Sequence, residues 1–408
     1  MAKKPDYLSI KQHCIQNTSI SAEVVDEFLI HYTAERENVL KEIDQKLKRH
    51  IRAAKELPEA FINFVYTSYI GHRIFRQGGF LNKYLHRPEF QRLPGEQYRF
   101  LEFYLQHPWR YSLAEIAARP EKEFFEMSDL LTGETYLLFS PSMQLELEEG
   151  HPRLWLNLIG YNGHCHQTFG PIVSFRSFDL DDLFFFATEL NPAISDENSF
   201  AAEMEKNPVP FLLLMNGSRI PLVITRGHEI KICRSDDEAP ELHPGKMTEH
   251  FSVSWNRNMY RLESKKIGEH PHFGVAYYYE NKKELIRTAN TLEGFYTLTE
   301  ELQQYGIELD EEPDILVSIG MLKTAKTVLN KSIELNPYEK LFEQKTDPEQ
   351  QKKLDKINLF ISSMLDPYNA GEEVDLAGHA EQAGLDVETA KQIWESVRKR
   401  MDELKGGR

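Results

Sequence analysis

The chain has 408 residues, with 48 Lys and Arg against 64 Asp and Glu, a formal net charge of −16. A hydrophobic fraction of 41%, with 24 Phe and 18 Tyr, excludes wholesale disorder. The acidic balance excludes a protein that coats nucleic acid, which needs a broad basic face, and leaves room only for a local contact.

At about 100–200 residues per domain, the length implies two to four structural units. The three cysteines, Cys14, Cys165 and Cys233, are dispersed and form no Cys-x-x-Cys pair. This excludes a disulfide framework and a four-cysteine zinc site. The start, MAKKPDYLSIKQHCIQ, has no apolar core of a secretory signal. The most apolar runs, Leu183–Ala187 and Pro210–Met215, fall far short of the ~20 residues that span a bilayer. The expectation is a protein of the reducing cytoplasm with no membrane partner.

In chain order, residues 1–120 read as helical. Ser21 is placed to cap a helix over SAEVVDEFL. Leu40, Ile43, Leu47, Ile51 and Ala54 form one apolar stripe. Around it, residues 36–55 carry seven bases and three acids, a solvated basic face in the simplest reading. Helices are expected over Phe61–Ile74 and Gly95–Leu105. At Pro120 the pattern changes, and residues 121–195 read as a small antiparallel barrel with a closing helix. FFEMSDLLTGETYLLF reads as a hairpin turning at Gly133. Met143, Leu145 and Leu147 alternate as a strand would, and so do Leu154, Leu156 and Leu158. FGPIVSF supplies a last strand, and a helix over Leu180–Leu190 ends at Asn191-Pro192.

Residues 196–330 read as a mixed α/β region. Strands are expected at Pro210–Met215, Pro221–Thr225, Glu229–Arg234 and Gly274–Tyr279, and a helix from Lys282 to Tyr305. The alternation in Tyr277, Tyr278 and Tyr279 puts one side in a core and the other at a surface. Residues 331–408 read as helical, with Asp347-Pro348 as an entry signal. The fold class is therefore α+β and multidomain.

Within the last region, residues 374–404 read as a helix-turn-helix-like hairpin. Ala380 permits close helix crossing and Gly384 suits a left-handed helix end. Asp386 would cap the second helix, with Val387, Ala390, Ile393, Trp394 and Val397 on its buried side. If that helix met nucleic acid or a partner, Thr389, Lys391, Gln392, Arg398, Lys399 and Arg400 would make the contact. Residues 391–408 hold six bases and three acids. Glu388 and Glu395 favour the plainer reading, a hairpin used for packing.

His164 and His166 are the metal candidates. On a strand they would share a face and, with a carboxylate, hold a divalent transition ion; with no acid at a useful spacing and Gly163 marking a turn, exposed loop histidines are the plainer reading. His270-Pro271-His272, His243-Pro244 and His107-Pro108 read as loops. No Gly-x-Ser-x-Gly elbow, phosphate-cradling Gly loop or His-Glu-x-x-His helix is present, so no catalytic residue and no cofactor is assigned.

The DLLTGE turn at Asp129–Glu134, followed by Phe273–Gln304, resembles large uncharacterised bacterial proteins that often carry a SEC-C zinc motif. The resemblance covers roughly residues 20–330. It implies a helical region, then a small β module, then a strand followed by a helix. The chain departs from that pattern in lacking the SEC-C cysteine cluster. The resemblance implies no activity; the Ala380–Gly384 turn, the cationic last helix and the missing catalytic signatures lead to the expectation of a non-enzymatic adaptor or regulator that binds protein or nucleic acid. The alternatives are an enzyme with a metal-assisted site and a structural, oligomerising protein.

Overall fold

A computed structural model describes residues 5–239, 242–267, 271–342, 348–369 and 375–406. The chain divides into two units, Met1–Asn336 and Pro337–Arg408. The first is mixed α/β.

Asp6 caps the first helix, Tyr7–Ser21, by accepting from the Ser9 amide at 3.2 Å. Helical backbone continues through Ser21 into a π-helical segment, Ala22–Leu29, and then Ile30–Arg36. The expected start at Ser21 is thus the middle of a longer run. The next helix, Val39–Arg49, buries Val39, Ile43 and Leu47. Leu40 lies off that buried face and is exposed, and after the break at His50 Ile51 is exposed too, so the expected stripe is not one continuous buried face. Helices Glu59–Phe75 and Gly95–Gln106 follow. Trp109 stacks between Phe75 and Phe169, with ring centroids at 3.9 and 3.7 Å. That sandwich fixes the helical region to the barrel.

The barrel comprises β1 (Arg110–Glu121), β2 (Phe124–Asp129), β3 (Thr135–Phe139), β4 (Leu154–Tyr161) and β5 (His166–Phe175). Strand signal therefore begins ahead of Pro120. The closed order is β1-β2-β3-β5-β4. All pairs are antiparallel except β3 and β5, which run parallel at Leu138 opposite His166. This corrects the expected all-antiparallel barrel. The cause lies in the connection: Met143, Leu145 and Leu147 are helical, not a strand. Ser140 accepts from the Met143 amide and Pro141 opens the helix Pro141–Glu149. Met143 plugs the barrel interior with Phe125, Met127, Tyr136, Leu138, Trp155 and Ile159. Strand β4 is buried on both faces. Trp155 and Ile159 point inward, and Leu154, Leu156 and Leu158 join the helical core outside.

Helix Leu180–Leu190 starts at a capping box between Asp179 and Asp182 and ends at Asn191, as expected. The strand expected over Pro210–Met215 is instead helix Val209–Leu212 with a 3-10 turn, Leu213–Met215. A short apolar run buried on all sides carries no period, so its pattern could not separate the two. Pro221–Thr225 contributes only β6 (Ile224–Thr225). It pairs with β7 (His228–Glu229) across Arg226 and Gly227, both at positive φ.

The second sheet holds β8 (Lys231–Glu238), β9 (Phe251–Asn256), β10 (Met259–Ser264), β11 (Gly274–Tyr279), β12 (Glu284–Ala289) and β13 (Ile315–Ser318). Its order is β13-β8-β12-β11-β10-β9. The helix expected from Lys282 to Tyr305 is split. A turn with Lys283 at φ 55 leads into β12, and Thr291 caps helix Leu292–Gln303. Tyr277 and Tyr278 are both buried, so both faces of β11 are covered and the expected core-versus-surface division fails there. Buried Arg287 on β12 pairs with Asp237 of β8 and donates to Thr299 of the helix and the Asp310 carbonyl. Every charge-bearing edge of that guanidinium is thereby engaged, which offsets its desolvation.

The second unit contains helices Pro348–Asn369, Leu376–Ala383 and Val387–Gly406. Asp347 and residue 374 lie outside the described residues. Phe360, Met364, Ala380, Ala383, Ala390 and Trp394 form its core. Gly384 is left-handed at φ 65, and Asp386 accepts from the Thr389 amide at 2.8 Å. Val387, expected inside, is 52% exposed because it precedes the first inward turn. No described helix is long and apolar enough to cross a membrane.

Candidate functional site

Two concave or polar constellations in the first unit carry chemistry. The first surrounds the DLLTGE turn. Asp129 Oδ1 accepts from the Leu131 and Thr132 amides, both at 3.1 Å, so the carboxylate holds its own turn. Its Oδ2 accepts from Arg110 at 2.6 Å and Ser112 at 2.8 Å. Arg110 reaches Glu134 with its second nitrogen at 2.7 Å. Opposite, Glu205 takes His72 Nε2 at 2.6 Å and the Tyr111 amide at 2.5 Å. A cleft of about 550 Å³ lies between, walled by Pro108, Trp109, Leu131 and Met204. Asp129 is matched to Arg110, and Glu205 to His72 and the Tyr111 amide. That is the arrangement of a structural network more than of a ligand-directed one.

The second constellation is His228, His272 and Glu293, contributed by three separate segments. The β6–β7 hairpin presents His228. The chain entering β11 presents His272, and the first turn of helix Leu292–Gln303 presents Glu293. Glu293 Oε2 lies 3.6 Å from His228 Nδ1 and 3.8 Å from His272 Nε2. One ligand atom from each residue falls within 4.8 Å of the others. The imidazoles meet edge to face at 4.4 Å. His272 Nδ1 is held by Thr291 Oγ1 at 2.9 Å, and the same hydroxyl accepts the Gly294 amide as the helix cap. This contact orients the ring and leaves Nε2 toward the cluster, as a supporting partner does in metal sites. An ion about 2.1 Å from each ligand in a tetrahedral shell sets ligand atoms about 3.4 Å apart. Side-chain adjustments of a few tenths of an ångström reach that spacing for the Glu293 pairs. Two imidazoles and one carboxylate suit zinc, iron, manganese or nickel, with coordination positions left for water. His228 and Glu293 are 41% and 65% exposed along their side chains, so the site faces solvent.

The histidines expected to bind metal sit elsewhere. His164 lies in the bend before β5, so it does not share a strand face with His166. Its ring packs on His13 at 4.5 Å, while His166 packs on Tyr136 at 4.7 Å. Burial, then the Arg110 charge, push the His166 imidazole down to about 4, which disfavours its charged form. Neither belongs to a cluster of three ligand side chains among the described residues. His272 lies in a loop, as the preceding His270-Pro271 step implies. Its partners lie 44 residues upstream and 21 downstream in the sequence, and no local spacing signals them.

In the second unit, Lys391, Gln392 and Arg398 are exposed on helix Val387–Gly406, while Thr389 is half-buried. The side chains of Lys399 and Arg400 lie outside the described residues. Comparison with protein-family models, curated proteins and solved structures finds no match.

Proposed function

We propose that the chain is a non-enzymatic binding protein of the adaptor or regulator kind, and that its ligand at His228, His272 and Glu293 is a divalent first-row transition ion. The observation that supports this reading is the convergence of three ligand side chains from three segments, with one imidazole already oriented by Thr291. A bound ion would cross-link the β6–β7 hairpin, the entry to β11 and the start of helix Leu292–Gln303. Solvent exposure of the cluster favours ion-dependent fastening of a surface over enclosed catalysis.

The test is calorimetric titration of metal-free protein with zinc and with manganese, beside H228A/H272A. Wild type is expected to bind about one equivalent of at least one ion, and at a hundredfold excess over Kd to gain about 2.7 kcal/mol of stability. Identical titrations for wild type and the double variant would refute the site.

A second reading, contact with nucleic acid through the C-terminal unit, is favoured by Lys391, Gln392 and Arg398 on one exposed helix. Against it, residues 337–408 carry 11 Lys and Arg and 15 Asp and Glu, a net −4. That balance favours a protein partner for this unit.

A further inference from the structure

Cys14 and Cys165 are 151 positions apart in sequence, yet their sulfurs lie 3.4 Å apart in a buried cluster. Cys14 comes from the first helix and Cys165 from the bend that enters β5. Around them sit Phe124 and Phe139 of the barrel, with Tyr7 and Ile10 of the helix. We propose that this thiol pair is an oxidative modification site, in which a peroxide joins Cys14 to Cys165 and locks the first helix onto the barrel.

Three observations converge on the pair. First, the side chain of Asn162 is oriented for it. Its Oδ1 accepts the His164 and Cys165 amides, both at 3.0 Å. Its Nδ2 therefore faces Cys14 Sγ at 3.2 Å, while also donating to Gln167 Oε1 at 2.7 Å. Second, the two chain segments are held in register independently of the sulfurs. His13 Nε2 donates to the Asn162 carbonyl at 3.1 Å, and Gln167 donates to the Cys14 carbonyl at 3.0 Å. Third, the Asn162 amide nitrogen lies 3.2 Å from Cys14 Sγ against 3.9 Å from Cys165 Sγ, and hydrogen bonding from Cys165, then from Asn162, outweighs burial and lowers the Cys14 thiol below its ordinary value. Cys14 is thus the nucleophile and Cys165 the resolving thiol.

The step balances with the peroxide as oxidant. The Cys14 thiolate attacks one peroxide oxygen, the O–O bond breaks, and hydroxide leaves to be protonated to water. Cys14 is now a sulfenic acid. The Cys165 sulfur attacks the Cys14 sulfur and the S–O bond breaks. The hydroxide released takes the Cys165 proton and leaves as a second water. Two thiols and one hydrogen peroxide become one disulfide and two waters. Bringing the sulfurs from 3.4 Å to about 2.05 Å needs a closure of about 1.4 Å. Only Cys14 and Ser21 of the Tyr7–Ser21 helix are buried, so local opening of this helix admits a small oxidant more readily than opening of the barrel. The third thiol, Cys233, is buried on β8 and bonded to the Lys231 carbonyl, which makes it an internal control.

The experiment treats the reduced full-length protein with hydrogen peroxide, alkylates remaining thiols, and maps peptides without reduction. A Cys14–Cys165 linked peptide with alkylated Cys233 is expected, along with loss of the link in C165A and its retention in C233S. Recovery of all three cysteines alkylated, a link to Cys233, or Cys14 sulfinic acid with no link would overturn the assignment. On the same samples, proteolysis within Tyr7–Ser21 should slow about tenfold on oxidation and recover on reduction. Equal cleavage of the linked and reduced forms would overturn the locking role.

Discussion

Asp129→Ala is the sharpest probe of the DLLTGE turn, because one buried carboxylate serves four donors there. Its loss leaves the Leu131 and Thr132 amides without their acceptor, worth about 1 kcal/mol by analogy with a helix cap. It also unpairs Arg110 from a buried partner. That term is below the 3–5 kcal/mol of a fully buried pair, since Arg110 is 30% exposed and keeps Glu134. Ser112 retains Tyr136. A total near 3 kcal/mol follows, about 1 M in urea midpoint for an unfolding slope of about 3 kcal/mol per molar. Asp129→Asn should be nearly as damaging. Its amide keeps one oxygen for the turn but turns its hydrogens toward Arg110, which can only donate, and forces the Ser112 hydroxyl to reverse toward Tyr136. Urea unfolding followed by tryptophan fluorescence measures both variants. An Asn variant within about 0.5 kcal/mol of wild type would refute the account, since it would show that the carboxylate charge and its second oxygen do little.

Two further outcomes concern pH and salt. Burial, then the neighbouring Asp179 charge, raise Asp182 to about 6, so its contribution is present below the unfolded value near 4 and is lost as pH rises through about 6. His166 has the opposite sign, contributing above its unfolded value near 6.5 and losing that contribution as pH falls toward about 4. The two offset one another between pH 4 and 6, so H166Q should make stability fall more steeply with rising pH across that window, measured by urea midpoints. An unchanged slope would contradict the His166 assignment. For the C-terminal unit, reversing Lys391 and Arg398 to Glu should leave binding to duplex DNA unchanged if the unit's partner is a protein. A steep salt-dependent affinity that the variant loses would instead establish the nucleic-acid reading.

Sequence patterning carried the elements whose burial is one-sided or whose caps are explicit. The hairpin around Gly133, the Asp179–Asn191 helix and the turn at Gly384 belong to this class, because each has a local chemical cause. Misreadings fell where burial is two-sided or where one pattern serves two structures. Pro210–Met215 is apolar throughout and enclosed, so helix and strand leave the same trace. In 141–149 three alternating residues read as a strand, while the helix start is set by Ser140 and Pro141. The parallel β3–β5 pair has no local signature at all, since it depends on β5 rather than β4 taking the place beside β3. The histidine–glutamate cluster was illegible for the same reason: hairpin, loop and helix meet only in three dimensions.

The position of β8 has a consequence for the chain while it is being made. This strand ends in the sheet interior, between β12 and β13, yet it precedes them by some 50 and 80 residues. During that interval two unpaired edges would stand open to other chains. Its sequence, KICRSDDE, is charged well beyond the habit of an interior strand. Lys231, Arg234, Asp236, Asp237 and Glu238 thus guard the strand while it waits. Once β12 pairs with it, Asp237 receives Arg287 and part of that guard becomes part of the core.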